Sequence, residues 1–565
     1  MFRLAGRALP RRWPGGTRTT LVLVAGGALV SASLLPDYVH NDAKPAWGGE
    51  TERPGPPGLQ PRADISPEET VQELKAYAWG SNSYKLLGES GTEVWRFPTP
   101  ASRLSGVALR DVALHETHAV AVDAAGDVYQ WGSQLGDAPS CTLKGKAIVR
   151  VAISPSNVFA LSASGKIYDL SASQPVTLEL EESWLSRWTP TFLGGGNSKN
   201  ELRADGGLTR AEKFISVSAG RDHLLAVTSK GRVFVHPITL NANSHGQLGT
   251  RKIRVLDSDP TLSKPSAVQV ELVPKIQQDP VANWTRSSRP SDSGDITPPP
   301  ENRPLAKLLY EIPALKGIGI AQAVANDRSS YALTKENGGV LTWGANEFGQ
   351  LGLGSTTTLS CVFVPTEIPL SRAFPSGTSV RCTDVAAGGD IAYFTTESVT
   401  DPHSTPVIDI FACGMGQYGA LGNGLHSQAQ GTPVKVKNIS GNMTFNEMRG
   451  ALEAIRPQSF SVSPTGHALL SLSSGRNLLT WGQNSTYQLG NGKRSSIAQP
   501  SYVRDFSPVS GAEDDNQGRM ALREGRLKVL RDMGGRVYGR NVKVQEWPVA
   551  GWNSSVVYWR AHPAT

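Results

Sequence analysis

Along most of the chain, apolar and polar positions alternate in short runs separated by turns rich in glycine, serine and asparagine. That is the period of β-strands. One phrase recurs: a short strand, a polar turn, an apolar strand, a glycine-containing turn, then an aromatic strand ending Trp-Gly. It starts at Asp111 (DVALHETHAVAVDAAGDVYQWGS), at Val149 (VRVAISPSNVFALSASGKIYDLS) and at Phe214 (FISVSAGRDHLLAVTSKGRVFVH). Further copies start at Ala321, Thr383 and Ser459. Within a copy the alternation places Tyr129 and Trp131 on one face and Gln130 on the other. Self-similarity of this kind marks a repeat architecture.

The ends of the repeat region are complementary. Ala76–Gly88 (AYAWGSNSYKLLG) is the second half of a copy with no first half. Val542–Arg560 (VKVQEWPVAGWNSSVVYWR) is a first half with no second. Joined, they make a seventh unit, so the predicted fold is an all-β, seven-bladed β-propeller over 76–560. Its N- and C-terminal strands share one blade, which removes exposed sheet edges.

The phrases resemble the regulator-of-chromosome-condensation repeat family. The residues that carry the resemblance are the Trp-Gly pairs at Trp79, Trp131, Trp343 and Trp481, and a Gly-Gln-Leu-Gly turn. That turn is intact at Gly246–Gly249 and Gly349–Gly352, and varied at 85–88, 419–422 and 487–490. Glycines there supply positive φ and close approach, the leucine fills the gap between blades, and the Trp packs on a blade face. Three copies depart, with Leu170, His236 and Cys413 at the Trp position, and the second turn shortens to Ser133–Gly136.

Two stretches interrupt the repeat. Arg251–Pro304 carries nine prolines, and its end (RSSRPSDSGDITPPPENRP) has the composition of a disordered excursion, with an ordered docking arm as the alternative. Ser507–Arg540 contains Ala521, Leu522, Leu527, Val529 and Leu530, which predict a helix with a basic face.

Charge is unevenly placed. The chain's net +7 includes five arginines (Arg3, Arg7, Arg11, Arg12, Arg18) and no acid within 1–36. The body is therefore near neutral, which argues against a nucleic-acid partner. An Arg-rich, acid-free leader reads as a mitochondrial presequence over 1–18. The uncharged run Thr19–Pro36 is just long enough for one transmembrane helix. A secretory signal is the competing reading, with sequons at Asn283, Asn438, Asn442, Asn484 and Asn553 as acceptors. Residues 37–75 form a linker, with a short helix expected over Ile65–Lys75 capped by Ser66. The expected location is the mitochondrial inner membrane, single-pass.

Candidate chemistry is sparse. His118, His223 and His467 start the second strand of a copy, and we align Asn157, Ser330 and Ser555 with them. A polar residue recurring in register serves the repeat, bonding a neighbouring turn. Cys141, Cys361, Cys382 and Cys413 form no C-x-x-C pair and suit buried strand positions. The glycine run Phe192–Gly196 lacks a P-loop's Lys-Ser/Thr. No enzyme activity, cofactor or metal site is expected.

The resemblance implies binding functions. The founding family member is an exchange factor for a nuclear GTPase and sits on chromatin. The presequence, single span and diverged propeller look like the fungal mitochondrial members, implicated in assembly of cytochrome bc1 (respiratory complex III). Animal mitochondrial members are tied to fusion GTPases and the mitoribosome. The repeated Gly-Trp-Arg-His-Thr of an ultraviolet-sensing plant branch is missing from this chain. The implied partners are the mitochondrial membrane and respiratory subunits or assembly intermediates; an organellar GTPase is the alternative.

Overall fold

The computed structural model describes residues 71–562 apart from 72, 89–90, 174–199, 257–266, 278–303, 355–358, 402, 448 and 505–517. All of them belong to the unit Arg62–Thr565. The expected presequence, the span Thr19–Pro36 and the run Phe192–Gly196 lie outside the described residues. Of the helix expected over Ile65–Lys75, the described residues Val71 and Glu73–Lys75 are not helical. No helix among the described residues is long and apolar enough to cross a membrane.

Valine, isoleucine and aromatic residues in alternating runs, cut every few residues by glycine, form strands rather than helices. The chain opens with β1 (Tyr77–Ser81) and β2 (Val94–Pro100). A four-stranded antiparallel sheet follows: β3 (Asp111–Leu114), β4 (His118–Val122), β5 (Val128–Gly132) and β6 (Gly136–Leu143). Next comes an eight-stranded sheet in two halves. The first is β7 (Ile148–Ile153), β8 (Asn157–Ser162), β9 (Ile167–Ser171) and β10 (Glu201–Ala204). The second is β11 (Phe214–Ala219), β12 (His223–Thr228), β13 (Val233–Pro237) and, beyond a hairpin of β14 (Lys252–Leu256) and β15 (Ala267–Glu271), β16 (Leu308–Glu311). β16 runs antiparallel to β13 and parallel to β10, which joins the halves.

Three further four-stranded sheets have the same meander. They are β17 (Ile320–Ala325) to β20 (Cys361–Glu367), β21 (Ser379–Gly388) to β24 (Ser427–Lys435), and β27 (Pro457–Val462) to β30 (Ile497–Tyr502). Between the last two lies a hairpin of β25 (Met443–Asn446) and β26 (Ala451–Ala454). The chain ends with β31 (Glu524–Arg531), β32 (Val537–Ala550) and β33 (Ser554–Ala561). β33 pairs with β1, Tyr77 opposite Val557 and Gly80 opposite Ser554, so both chain ends share one sheet.

The first strand of each set packs on its predecessor: β7 on β3, β11 on β7, β17 on β11, β21 on β17, β27 on β21, β32 on β27, and β3 on β32. The order closes on itself. Apolar clusters fill each gap; one holds Ile391, Tyr393, Leu421, Leu470 and Trp481, all buried.

Two expectations are corrected. The predicted helix within Ser507–Arg540 is instead a hairpin, because Leu527 and Val529 on β31 find partners on β32 (Val542 and Arg540). Tertiary pairing overrides the local period. Part of Arg251–Pro304 is also ordered: Ile253, Val255, Val270 and Leu272 of its hairpin are buried in the core. The proline-rich end, 278–303, lies outside the described residues.

Candidate functional site

The predicted repeat residues converge on the gaps between neighbouring sheets. The Trp343 indole Nε1 donates to the Gln247 carbonyl of the preceding set's turn at 2.9 Å. Trp79 does the same to Gln488 at 2.8 Å, Trp131 to Leu86 at 2.9 Å and Trp481 to Ala420 at 2.9 Å. Cys413, standing at a Trp position, puts its thiol 3.2 Å from the Gln350 carbonyl. Each acceptor is the second residue of the Gly-Gln-Leu-Gly turn or its variant. The leucines after them, Leu87, Leu248, Leu351, Leu421 and Leu489, are buried.

Glycine after the tryptophan is obligatory for two reasons. Gly132 and Gly344 have φ of +140° and +106°, and a Cβ there would lie 2.3 and 2.5 Å from the carbonyls of Thr117 and Arg328. A side chain would break the pairing with the second strand. Gly249 and Gly352 of the turn also have left-handed backbones, and they face Trp343 and Cys413 across the gap.

Two of the three histidines complete this contact. His223 Nε2 lies 2.8 Å from Ser330 Oγ, which donates to the Gln247 carbonyl at 2.8 Å. His467 Nε2 lies 3.1 Å from Ser555 Oγ, which donates to Gln488 at 2.8 Å. A serine hydroxyl has one proton, so the imidazole must donate from Nε2. Burial pulls the pKa of His223 and His467 down to about 3, which keeps the rings neutral. His118 is held down to about 3, chiefly by burial, and its Nε2 finds no partner among the described residues. It lies 5.0 Å from the His115 ring, which in turn lies 4.9 Å from Trp552.

The register alignment made from the sequence is one residue out. Ser329 opposes Gly344 as His118 opposes Gly132 and His467 opposes Gly482, so Ser329 and Ser554 are the equivalents of the histidines. Ser330 and Ser555 come one position later, facing back toward the preceding set. Asn157 is equivalent to the histidines, and its amide donates to Asp169 at 2.6 Å.

Four asparagines join the site that the sequence reading passed over. Asn82, Asn243, Asn346 and Asn484 use Oδ1 to accept from the amide of the turn leucine at 2.9–3.3 Å. Three of them follow Trp-Gly at a constant spacing (WGSN, WGAN, WGQN), a signal present in the sequence. A second, inner set of links joins first strands. Asp111 accepts from Val151 N, Ser218 from Ala325 N, Gln322 from Val385 N, and Ser461 from Ala550 N, all near 3.0 Å.

One group of loops carries charge. Arg328, in the β17–β18 loop, bridges Glu347 at 2.7 Å and Asp390 of the next set at 3.0 Å. His245 lies 3.6 Å from Glu347. Burial, then the Asp390 charge, pushes the neighbouring Asp327 carboxyl up to about 6. The thiols are unsuited to nucleophilic chemistry: burial raises Cys382 to about 12 and raises Cys413 further. Cys141 is half-exposed rather than buried. No group of three metal-ligating side chains occurs among the described residues.

Against known proteins, residues 337–394 match the regulator of chromosome condensation (RCC1) repeat. Protein FMP25, mitochondrial, of Saccharomyces cerevisiae is 24% identical over 229 residues, which are 40% of this chain and 33% of FMP25. The match thus spans about a third of that relative. The ultraviolet-B receptor UVR8 of Arabidopsis thaliana is 22% identical over 72% of this chain and 79% of the receptor. Among solved structures, yeast RCC1 (Prp20) bound to Kap60 superposes with a TM-score of 0.51 at 15% identity, covering 92% of this chain and 96% of that one. The chain carries the regulator of chromosome condensation repeat, and in its all-β sheets it resembles the proteins built from that repeat.

Proposed function

We propose that the chain is a seven-bladed mitochondrial propeller that works as a protein-binding scaffold in assembly of respiratory complex III. Seven is the count when the eight-stranded sheet is taken as two blades. The observation that carries the scaffold reading is the use of the repeat's polar groups. His223, His467, Ser330, Ser555 and the indoles bond neighbouring sheets, which leaves loop surfaces for partners. The leader composition and the likeness to FMP25 support a mitochondrial location. In this reading Thr19–Pro36 anchors the protein in the inner membrane, and the complex itself comes from the resemblance to fungal members.

The test is loss of the protein in intact cells. Cytochrome bc1 should be depleted and respiratory growth impaired while ATP synthase persists. Normal bc1 levels would overturn the reading.

A second reading, nucleotide exchange on an organellar GTPase, is favoured by the mixed-charge loops around Arg328, Asp327 and Asp390. Prp20p of Saccharomyces cerevisiae, whose crystal structure superposes with a TM-score of 0.50 at 15% identity, has binding properties to Gsp1p and histones. Accelerated GDP release from a purified organellar GTPase, with bc1 unchanged, would establish that alternative.

A further inference from the structure

The β31–β32 hairpin is strongly basic. From Glu524 to Lys543 it carries six cations (Arg526, Lys528, Arg531, Arg536, Arg540, Lys543) against two carboxylates, a net of +4. The body of the chain beyond residue 36 totals only +2, so this ribbon is basic against a background that is slightly acidic elsewhere. Lys528, Arg536 and Arg540 are exposed, and none forms an ion pair among the described residues. Between them stand three exposed apolar side chains, Val529 (40%), Val537 (52%) and Tyr538 (51%).

The ribbon is anchored on its other side. Leu530 is buried beside Leu74, Val544 and Trp559. The Arg110 guanidinium donates to Tyr538 Oη at 2.8 Å, and Met533 N donates to Asp123 at 3.4 Å. β33 ends at Ala561 opposite Val544, so the part of β32 before Val544 pairs with β31 alone. Val529 pairs with Arg540 and Arg531 with Val537, so two exposed aliphatic groups and two exposed cations share the face opposite buried Leu530, while Lys528 and Tyr538 belong to the anchored side.

Val71, where the described chain begins, donates its amide to the Arg526 carbonyl at 3.1 Å. In the sequence, residues 37–70 separate Pro36 from Val71.

From these observations we infer that the exposed face of the β31–β32 ribbon lies on an anionic phospholipid surface. The inference rests on the membrane-anchor reading for its orientation. Clustered lysine and arginine are drawn to anionic headgroups within a Debye length. Small apolar groups between them reach the headgroup–acyl boundary. A nucleic acid or an acidic protein would satisfy the cations but would leave Val529 and Val537 without purpose.

The experiment uses the full chain, with Val537→Cys carrying an environment-sensitive fluorophore and Cys141→Ser removing the half-exposed native thiol. It is mixed with vesicles of phosphatidylcholine alone or of an equal mixture with phosphatidylglycerol. The expected result is a blue shift only with the anionic vesicles, abolished by high salt. Arg531→Glu/Arg536→Glu/Arg540→Glu should weaken the response at least about tenfold, whereas Arg531→Lys/Arg536→Lys/Arg540→Lys should preserve it. A response equal on both vesicle types, or one that survives charge reversal in a variant with unchanged circular dichroism, would overturn the proposal. So would a larger response to RNA or to an acidic protein than to vesicles. Carbonate extraction separates the two readings. A chain that is extracted yet still responds loses its anchor but keeps its ribbon contact; a chain that stays embedded and silent keeps the anchor and loses the ribbon contact.

Discussion

The gaps on either side of the β7–β10 set are built differently from the other five. Those five have an indole or thiol donating to the second carbonyl of the preceding turn, followed by a glycine with a left-handed backbone. At the two exceptions, Leu170-Ser171 and His236-Pro237 stand where Trp-Gly would be. His236 turns its Nδ1 to the Leu308 carbonyl at 2.8 Å instead. Between the β7–β10 and β11–β16 sets alone, the joining is done by main chain, with β16 bonded to β13 on one side and to β10 on the other. The gap between β3 and β7 keeps its inner link from Asp111 and gains Arg110, which donates to the Ile148 carbonyl at 2.9 Å. A repeat can thus lose its signature side chain where strand pairing replaces it.

Removing an indole should disturb the molecule most. Trp481→Ala should cost about 3–5 kcal/mol, because it opens a cavity and leaves the Ala420 carbonyl with only the Tyr393 hydroxyl. Leu170→Ala should cost less, at the lower end of about 2–5 kcal/mol, since no hydrogen bond is lost; urea midpoints of the two variants give the difference. If both cost the same, the side-chain link is not what distinguishes the gaps. Leu309→Pro, which interrupts β16, should raise amide exchange in β9, β10 and β13 while β17–β30 stay protected. Uniformly raised exchange would show that the main-chain joint is not local. The smallest change is Ser555→Ala, about 1 kcal/mol, because Trp79 still donates to Gln488 while His467 Nε2 loses its acceptor.

Acid should act on the histidine-bearing gaps in a defined direction. His223 and His467 have folded pKa values of about 3, below the unfolded 6.5, so the unfolded chain takes up protons first. Stability present above pH 6.5 is lost as pH falls toward 3, at about 1.4 kcal/mol per pH unit for each ring. Asp327, raised to about 6, works the other way between pH 6 and the ordinary carboxylate range. His467→Gln should make the fall in melting temperature between pH 6.5 and 4 shallower; an unchanged slope would show that His467 does not titrate with unfolding.

The repeat was legible because its cues are local: alternation, Trp-Gly and a glycine-framed turn at fixed spacing. Complementary half-repeats also foretold the pairing of β1 with β33. The histidine register was not legible, because Ser329-Ser330 and Ser554-Ser555 are doublets and only pairing with Gly344 and Gly80 tells the two serines apart. The β31–β32 hairpin was hidden for another reason. Leu527 and Leu530 are three residues apart, a helical spacing, and the bulge between Leu530 and Arg531 masks the alternation. Its basic character was visible, but its placement beside Val71 depends on contacts across more than 400 residues.

That β1 and β33 complete one sheet has a consequence for how the chain is made. Tyr77 must wait for Val557, 480 residues later, before its strand gains that neighbour. At translation rates of roughly 5–20 residues per second, the delay is about 25–100 s. Until then the edge of β1 that will meet β33 is open, so a chain delivered N-terminus first must keep that edge covered until its last strand arrives.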